Sequence, residues 1–306
     1  MGIGISPYDF TLETEGYPDP DIKTVAKRYG DGGGGPVPGA ISTLAVLGCR
    51  TAIITTMGDD LYGKMIKEEF EEYGINTQGV RLSPDFQTLH AHIIVDHQNG
   101  QRTVILNQNE ALPILKSQIP VGILEECRYL ILDSRITPTI IALAKRAKSS
   151  GARLMFDGGS VQNHIKDLLP LIDYPVVSLR FVKDLFGHSN PERACKSLIG
   201  LGATMSGVTM GKNGSYLATN EEVTYIPSYE INVVDTTGAG DVYHGGVLYG
   251  LLHDWNVKAT GQLASAIAAL NSQAFGARTG IPGMERIREF FIRHGIENHP
   301  VMKTEV

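Results

Sequence analysis

The sequence predicts an α/β fold built on a largely parallel central sheet, and three observations carry that reading. Short β-branched runs alternate with longer segments of helical periodicity along most of the 306 residues. Several of those runs end in Asp, Gly or Ser, residues that suit the turn out of a strand. A hydrophobic content of 42% is enough for a large core in one domain, or in a domain with an appendage.

The elements follow in order. A short first strand precedes Ser6, and "TAIITT" (51–56) predicts another. In "DLYGKMIKEEFEEYG", Ile66, Phe70 and Tyr73 share one helical face while Lys67, Glu68, Glu71 and Glu72 cover the other. "TLHAHIIVDHQNGQRTVILNQ" (88–108) breaks the rhythm: it reads as two strands joined at Asn99-Gly100, a pair suited to a tight hairpin turn. Leu89, Ala91, Ile93 and Val95 face one way, and His90, His92, Ile94 and Asp96 the other. A two-faced hairpin inserted early in an α/β domain predicts a small lid, with 10–30 as a source of further strands. "RYLILD" (128–133), "ARLMFD" (152–157), "YPVVS" (174–178), "ATMSGVTM" (203–210) and "INVV" (231–234) are the later strands. "TPTIIALAKRAKSSG" is a helix with a threonine cap, a proline in its first turn and Gly151 at its end. The expected division is a core of 1–9, 31–82 and 108–306, and a lid of 10–30 and 83–107.

Charge and composition narrow the function. Lys+Arg 27 against Asp+Glu 33 gives a net charge of -6 with no basic stretch, which argues against nucleic acid or an anionic membrane surface as partner. Cys49, Cys127 and Cys195 lie far apart, without metal spacing, and fit a reducing compartment. No apolar run approaches the ~20 residues of a membrane span. The start "MGIGISPYDF" lacks the features of a signal peptide. A cytoplasmic protein acting on a small molecule is expected.

"DTTGAGD" (235–241) places small residues between two carboxylates where a β-branched run gives way to a helical pattern. It is not a dinucleotide fingerprint, because Tyr243 stands where the third glycine belongs, and "GVTMGKNG" (207–214) fails the spacing of a phosphate-binding P-loop. A helix beginning here would leave the amides of Gly238, Ala239 and Gly240 without partners and aimed at an anion. Such a pocket suits the charge of a transferring phosphoryl group. Asp241, in the first turn, could take a proton from an incoming hydroxyl, while Asp235 could ligate a cation or fix the turn. A capped turn without chemistry is the competing reading.

"DTTGAGD" also resembles the D-T-x-G-A-G-D signature of the PfkB, or ribokinase-like, sugar kinases. Further segments are similar to that family in the same order: "SPYDF", "GGGGPVPGAISTLAVLG", "MGDDLYGKMIKEEFEEYGI" (57–75), "VTMGKNGSY" (208–216) and "GARTGIPG" (276–283). The resemblance implies a three-layer α/β/α sandwich with a β-sheet lid, and transfer of the ATP γ-phosphoryl group to a sugar hydroxymethyl group, assisted by Mg²⁺. By position it implies Asp241 as base, with Gly238, Ala239 and Gly240 as anion hole. Asp9 and the 34–39 segment, including Gly34, Gly35 and Gly39, would orient the sugar. Thr209, Gly211 and Gly214 would lie along the nucleotide, and Asp235 and Thr237 match positions that hold a monovalent cation such as K⁺ in some members. His92 and Arg102 are expected to line the lid. Arg135 is expected to meet an anionic substituent or a surface partner, and Asn271 the adenine or the core. Lid strands pair between subunits in this family, so a homodimer through the lid is compatible.

Two departures stand out. Gly39 occupies a position where the family often has a sugar-contacting asparagine, and "SLRF" (178–181) replaces an N-x-x-E segment that helps organise Mg²⁺. "LDSRI" and "DGGS" are closer to the ketohexokinase-like and sulfosugar-kinase-like branches. A ketohexose-like acceptor is therefore favoured, with a nucleoside kinase, a sugar-phosphate kinase or a catalytically impaired sugar-binding protein as alternatives.

Overall fold

A computed structural model describes residues 1–107 and 112–304. Residues 108–111 and 305–306, which fall within the expected core segment, lie outside the described residues. The central sheet is made of β1 (Gly2–Ile3), β4 (Ala52–Gly58), β5 (Asn76–Ser83), β8 (Tyr129–Leu132), β9 (Arg153–Gly158), β10 (Tyr174–Ser178), β11 (Ser206–Thr209), β12 (Ser215–Ala218) and β13 (Val223–Ile226). Their spatial order is β13-β12-β11-β10-β9-β8-β1-β4-β5. Every neighbouring pair from β11 to β5 is parallel, while β12 and β13 add an antiparallel edge.

Side chains alternate across this sheet, and that alternation makes three layers. Ile131, Met155 and Val176 pack on one side with α1 (Pro36–Val46), α2 (Leu61–Glu72), α7 (Ala239–Leu252), α8 (Val257–Asn271) and α9 (Met284–Arg293). Leu130, Phe156 and Val177 pack on the other with α3 (Pro138–Ser149), α4 (Ile165–Leu168), α5 (Leu179–Phe186) and α6 (Pro191–Gly200). The threonine cap read from sequence forms, with Thr137 accepting the amide of Ile140 ahead of α3; Asp60, not read as a cap from sequence, accepts that of Gly63 in α2.

A second sheet of four strands stands apart, in the order β3-β2-β6-β7, from β2 (Tyr8–Thr14), β3 (Arg28–Gly33), β6 (His90–Asp96) and β7 (Arg102–Leu106). Strands β6 and β7 are the hairpin expected at Asn99-Gly100. The 10–30 segment contributes as expected, although β2 begins earlier, at Tyr8, and β3 runs on to Gly33.

One expected strand is absent. "INVV" (231–234) is not part of a sheet, because the amides of Val234 and Asp235 donate to the Ser272 carbonyl at the end of α8, at 2.9 and 3.3 Å. The run is an irregular connector laid along a helix end, and α7 starts from it rather than from a strand.

Candidate active site

Parallel sheets present their ligand crevice at the carboxyl ends of the strands. Here those ends carry Asp133 after β8 and Asp157 in β9, both buried. Asp133 accepts the amides of Ile5 and Arg135 at 2.8 and 2.9 Å, and burial pushes its carboxyl up to about 6. Burial likewise pushes Asp157 up to about 7, although the His244 ring beside it acts in the opposite direction. Arg135 is half-buried beside Asp133 at the end of β8.

The start of α7 is built by a set of local bonds. Gly238 is its N-cap in the left-handed region (φ 75°), and a Cβ there would run into the Ala277 carbonyl, so only glycine fits. Asp235, fully buried, fixes the turn: its two carboxylate oxygens accept the amides of Thr237 (2.8 Å) and Gly276 (3.0 Å). Among the described residues the amides of Gly238, Gly240 and Asp241 have no hydrogen-bond acceptor, the arrangement that binds an anion. The Ala239 amide departs from the expected set, since it closes the turn onto the Thr236 carbonyl at 3.2 Å.

Of its two expected places, the adenine or the core, Asn271 takes the core. It is fully buried, and its side-chain nitrogen donates to the Ala277 carbonyl at 3.0 Å and, at 3.4 Å, to that of Thr237. It braces the turn from behind. Thr237 Oγ1 is buried there without a partner, and this hydroxyl with the outer faces of the Asp235 carboxylate is the donor set left for a monovalent cation.

Two glycines let the carboxylates approach. A Cβ on Gly39, in α1, would stand 2.6 Å from the Cβ of Asp241, and one on Gly34 would collide with the carboxylate of Asp9. Gly35, at φ 97°, caps α1 and turns the chain between them. Behind Asp9 lies Arg278, 4% exposed, paired to Glu69 Oε2 at 2.7 Å and set over the Phe70 ring. Burial pushes Asp9 up to about 7, against the pull of Arg278 and Arg102. Burial raises Asp241 too, and the positive charges of Arg102, His244 and Arg278 counter it.

The lid meets this site with its apolar face. Register places Arg102 across from Val95, and Val95 with Ala91 on the face that carries Asp9. That face, with Ala91, Ile93 and Val95 packed on Phe275, turns toward the helix start. Arg102 reaches Thr236 Oγ1 at 3.3 Å. His92 pairs in register with Phe10 and Ile105 on the other face, where its ring stacks on Phe10 at 5.3 Å. Of the two residues expected to line the lid, Arg102 is therefore on the face toward the helix start and His92 on the other. The hairpin tip is docked: Thr236 donates to the Gly100 carbonyl from Oγ1 at 2.8 Å and from its amide at 3.3 Å.

The remaining expected segments lie on neighbouring strand ends. Thr209 ends β11 and donates to the Val177 carbonyl at 3.4 Å; Gly211 (φ 58°) and Gly214 (φ 77°) make the turn into β12. At 178–181, Ser178 caps α5 by accepting the Phe181 amide, and Phe181 is fully buried, so no carboxylate is offered there. Among the described residues no three His, Cys, Asp or Glu side chains gather to hold a metal ion. This donor set fits a Mg²⁺ carried by the phosphates of a nucleotide, not one held in a protein cage.

Asp157 stands at a strand end as the sequence suggested, whereas Arg278, Glu69 and the contact of His244 with Asp157 were not identifiable as site features from the sequence. Arg278 lies inside "GARTGIPG", one of the segments that carry the family resemblance, and that is its signal in the sequence.

A family profile described as "pfkB family carbohydrate kinase" matches residues 1–284. The chain is 25% identical over 305 residues to an ATP-dependent 6-phosphofructokinase of Thermoanaerobacterium thermosaccharolyticum, covering 92% of this chain and 90% of that protein. It is 25% identical over 311 residues to a nucleoside kinase of Methanothermobacter thermautotrophicus, covering 97% of each. Among solved structures, a ribokinase from Thermotoga maritima superposes with a TM-score of 0.80 at 28% identity, over 95% of this chain and 98% of that one. An E. coli structure in complex with ATP and Mg²⁺ superposes with a TM-score of 0.82 at 23% identity, over 96% and 98%.

Proposed function

The chain belongs to the pfkB family of carbohydrate kinases and is a phosphotransferase with an alcohol acceptor; within that class we propose that it carries the γ-phosphoryl group of ATP to a primary hydroxyl of a small carbohydrate, a ketohexose-like sugar first. The observation that supports this most strongly is the pairing of Asp241 with the free amides of Gly238, Gly240 and its own backbone, opposite Asp9.

In this reading the Asp241 carboxylate accepts the proton of the acceptor hydroxyl as its oxygen bonds to the γ-phosphorus. The bond from that phosphorus to the bridging oxygen breaks, and ADP leaves with the electron pair. The free amides face the equatorial oxygens, where charge accumulates. Asp9 orients the acceptor with Gly34 and Gly35 beneath it, and Arg102 closes the lid side. Thr209, Gly211 and Gly214 border the nucleotide, whose phosphates carry a Mg²⁺ that neutralises part of their charge. A monovalent cation at Thr237 and Asp235 would stiffen the turn.

"LDSRI" and "DGGS" support the ketohexose-like acceptor, and in this reading Arg135 meets an anionic substituent on it. A homodimer through the lid is supported by the outer lid face, where Tyr29 and Ile105 are 57% and 49% exposed. No helix among the described residues is long and apolar enough to cross a membrane.

The test is ADP production from Mg·ATP against a panel of ketohexoses, ribose, keto-deoxy sugar acids, sulfofructose, nucleosides and fructose phosphates. Turnover dependent on a ketohexose or its sulfonated analogue supports the reading. Turnover with nucleosides or sugar phosphates alone moves the acceptor class, and ATP binding without turnover on any acceptor favours the binding-protein alternative.

A further inference from the structure

His244 lies one helical turn beyond Gly240 on α7 and is 3% exposed. Its Nδ1 stands 2.7 Å from the Gly240 carbonyl oxygen, and its Nε2 stands 3.0 Å from the Val176 carbonyl oxygen on β10. Carbonyl oxygens only accept. Both contacts are hydrogen bonds only when both ring nitrogens carry hydrogen, which is the charged imidazolium. A counter-charge is in place: Asp157 Oδ2, from the end of β9, is 3.2 Å from Nδ1 and has no hydrogen-bond donor of its own.

The bond to Gly240 has a consequence for the anion hole. The Gly240 carbonyl and the Asp241 amide belong to one planar peptide unit. A donor that pins the carbonyl therefore fixes the direction of the Asp241 N–H, one of the amides left free at the helix start. Donation to the carbonyl also polarises the unit and strengthens that N–H as a donor. The charged and titratable groups facing Asp241 are Arg102 on β7, Arg278 in the 276–280 segment, His244 on the next turn of α7, and the carboxyls of Asp9 on β2, Asp133 after β8 and Asp157 on β9. Facing Asp157 are His244, Asp241 and Asp133.

We propose that His244 is a positioning residue for phosphoryl transfer: as a buried imidazolium braced between β10 and Asp157, it aims the Asp241 amide into the anion hole and lends positive charge to the Asp241 carboxylate. This rests on the reading of Asp241 as the base. His244 touches neither substrate nor nucleotide, and its effect passes through the Gly240–Asp241 peptide.

The test uses His244→Asn, whose amide can still donate to Gly240 across one helical turn but carries no charge, and His244→Gln as a second variant. Asn should lower kcat roughly tenfold with the acceptor KM unchanged, less than the loss from deleting an oxyanion donor outright. With the imidazolium gone, the Asp241 carboxyl binds its proton more tightly. The acid limb of kcat/KM should then move up by about half to one pH unit. Nitrogen NMR of the wild-type ring near pH 7.5 should show both nitrogens protonated. A neutral ring overturns the proposal, and so does an Asn variant with normal kcat and an unmoved acid limb. A kcat loss matched by lost folded fraction, with the limb unmoved, reduces His244 to packing and also overturns it. The base reading fails separately, if Asp241→Asn retains turnover, and the ring's protonation state is read independently of activity.

Discussion

Gly39 and Asp241 meet with no side chain between them, the Cβ position of the glycine lying 2.6 Å from the Cβ of the aspartate. Helix α1 thereby sets the lateral position of the carboxylate on α7. An asparagine at 39 has no room here unless Asp241 moves.

Gly39→Ala tests that contact. Helix propensity alone would favour alanine by about 1 kcal/mol, but the new methyl must displace Asp241 or part the helices. We expect a lower melting temperature together with a fall in kcat of at least about tenfold, since misplacement by an ångström is costly in catalysis. A variant with unchanged kcat would show that the carboxylate tolerates the shift.

Asp9 binds its proton more tightly in the folded chain, at about 7, than an ordinary carboxylate does. The stability this contributes is full below the unfolded value of about 4 and is lost as pH rises through about 7. Asp9→Asn cannot ionise, so the fall in melting temperature between pH 5 and pH 8 should be smaller in the variant than in the wild type. At pH 8 the variant should melt a few degrees higher while losing acceptor turnover. An equal pH dependence in both proteins would mean that Asp9 is ionised in the fold without cost.

Thr236→Val removes the hydroxyl that donates to Gly100 and accepts from Arg102. Among the described residues, the hydrogen bond that then remains between Thr236 and the hairpin tip is the long one from its amide to Gly100. We expect a several-fold rise in acceptor KM with a smaller change in kcat, because the lid positions the acceptor and Asp241 is untouched. Steady-state kinetics on the wild-type acceptor decides it.

Glu69→Gln leaves the buried Arg278 guanidinium facing a neutral amide. Breaking a buried pair from one side costs about 3 kcal/mol, discounted somewhat here by the partial exposure of Glu69. Denaturant unfolding of the variant should show a loss of this order, and a loss well under 1 kcal/mol would assign Arg278 a different main partner.

Much of this architecture was readable in the residues. "YPVVS" coincides with β10, the Asn99-Gly100 turn with the hairpin, and Thr137 with its cap, because each is decided by local chemistry. "INVV" misled because β-branched residues suit any extended backbone, and only the Ser272 carbonyl decides that this one is not in a sheet. The short antiparallel strands β12 and β13 were missed, four residues each being too few to show a period. Alternation separated the lid's two faces but not their direction. The apolar face turns inward because Phe275, more than 160 positions away by number from Ala91 and Ile93, packs on it. Asn271 and Arg278 were ambiguous for the same reason: burial at these places is set by contacts with Thr237, Ala277 and Glu69, distant in the chain or hidden by the fold.

The most direct measurement is kcat for Asp241→Asn with ATP and the best acceptor, on protein whose melting curve shows it folded. Removal of the base at an otherwise intact anion hole should lower kcat by at least about 10²-fold, in line with the contribution of a positioned general base, while nucleotide binding persists. Turnover within about tenfold of wild type would contradict the assignment of Asp241, and with it the reading of this helix start as the place where the phosphoryl group is transferred.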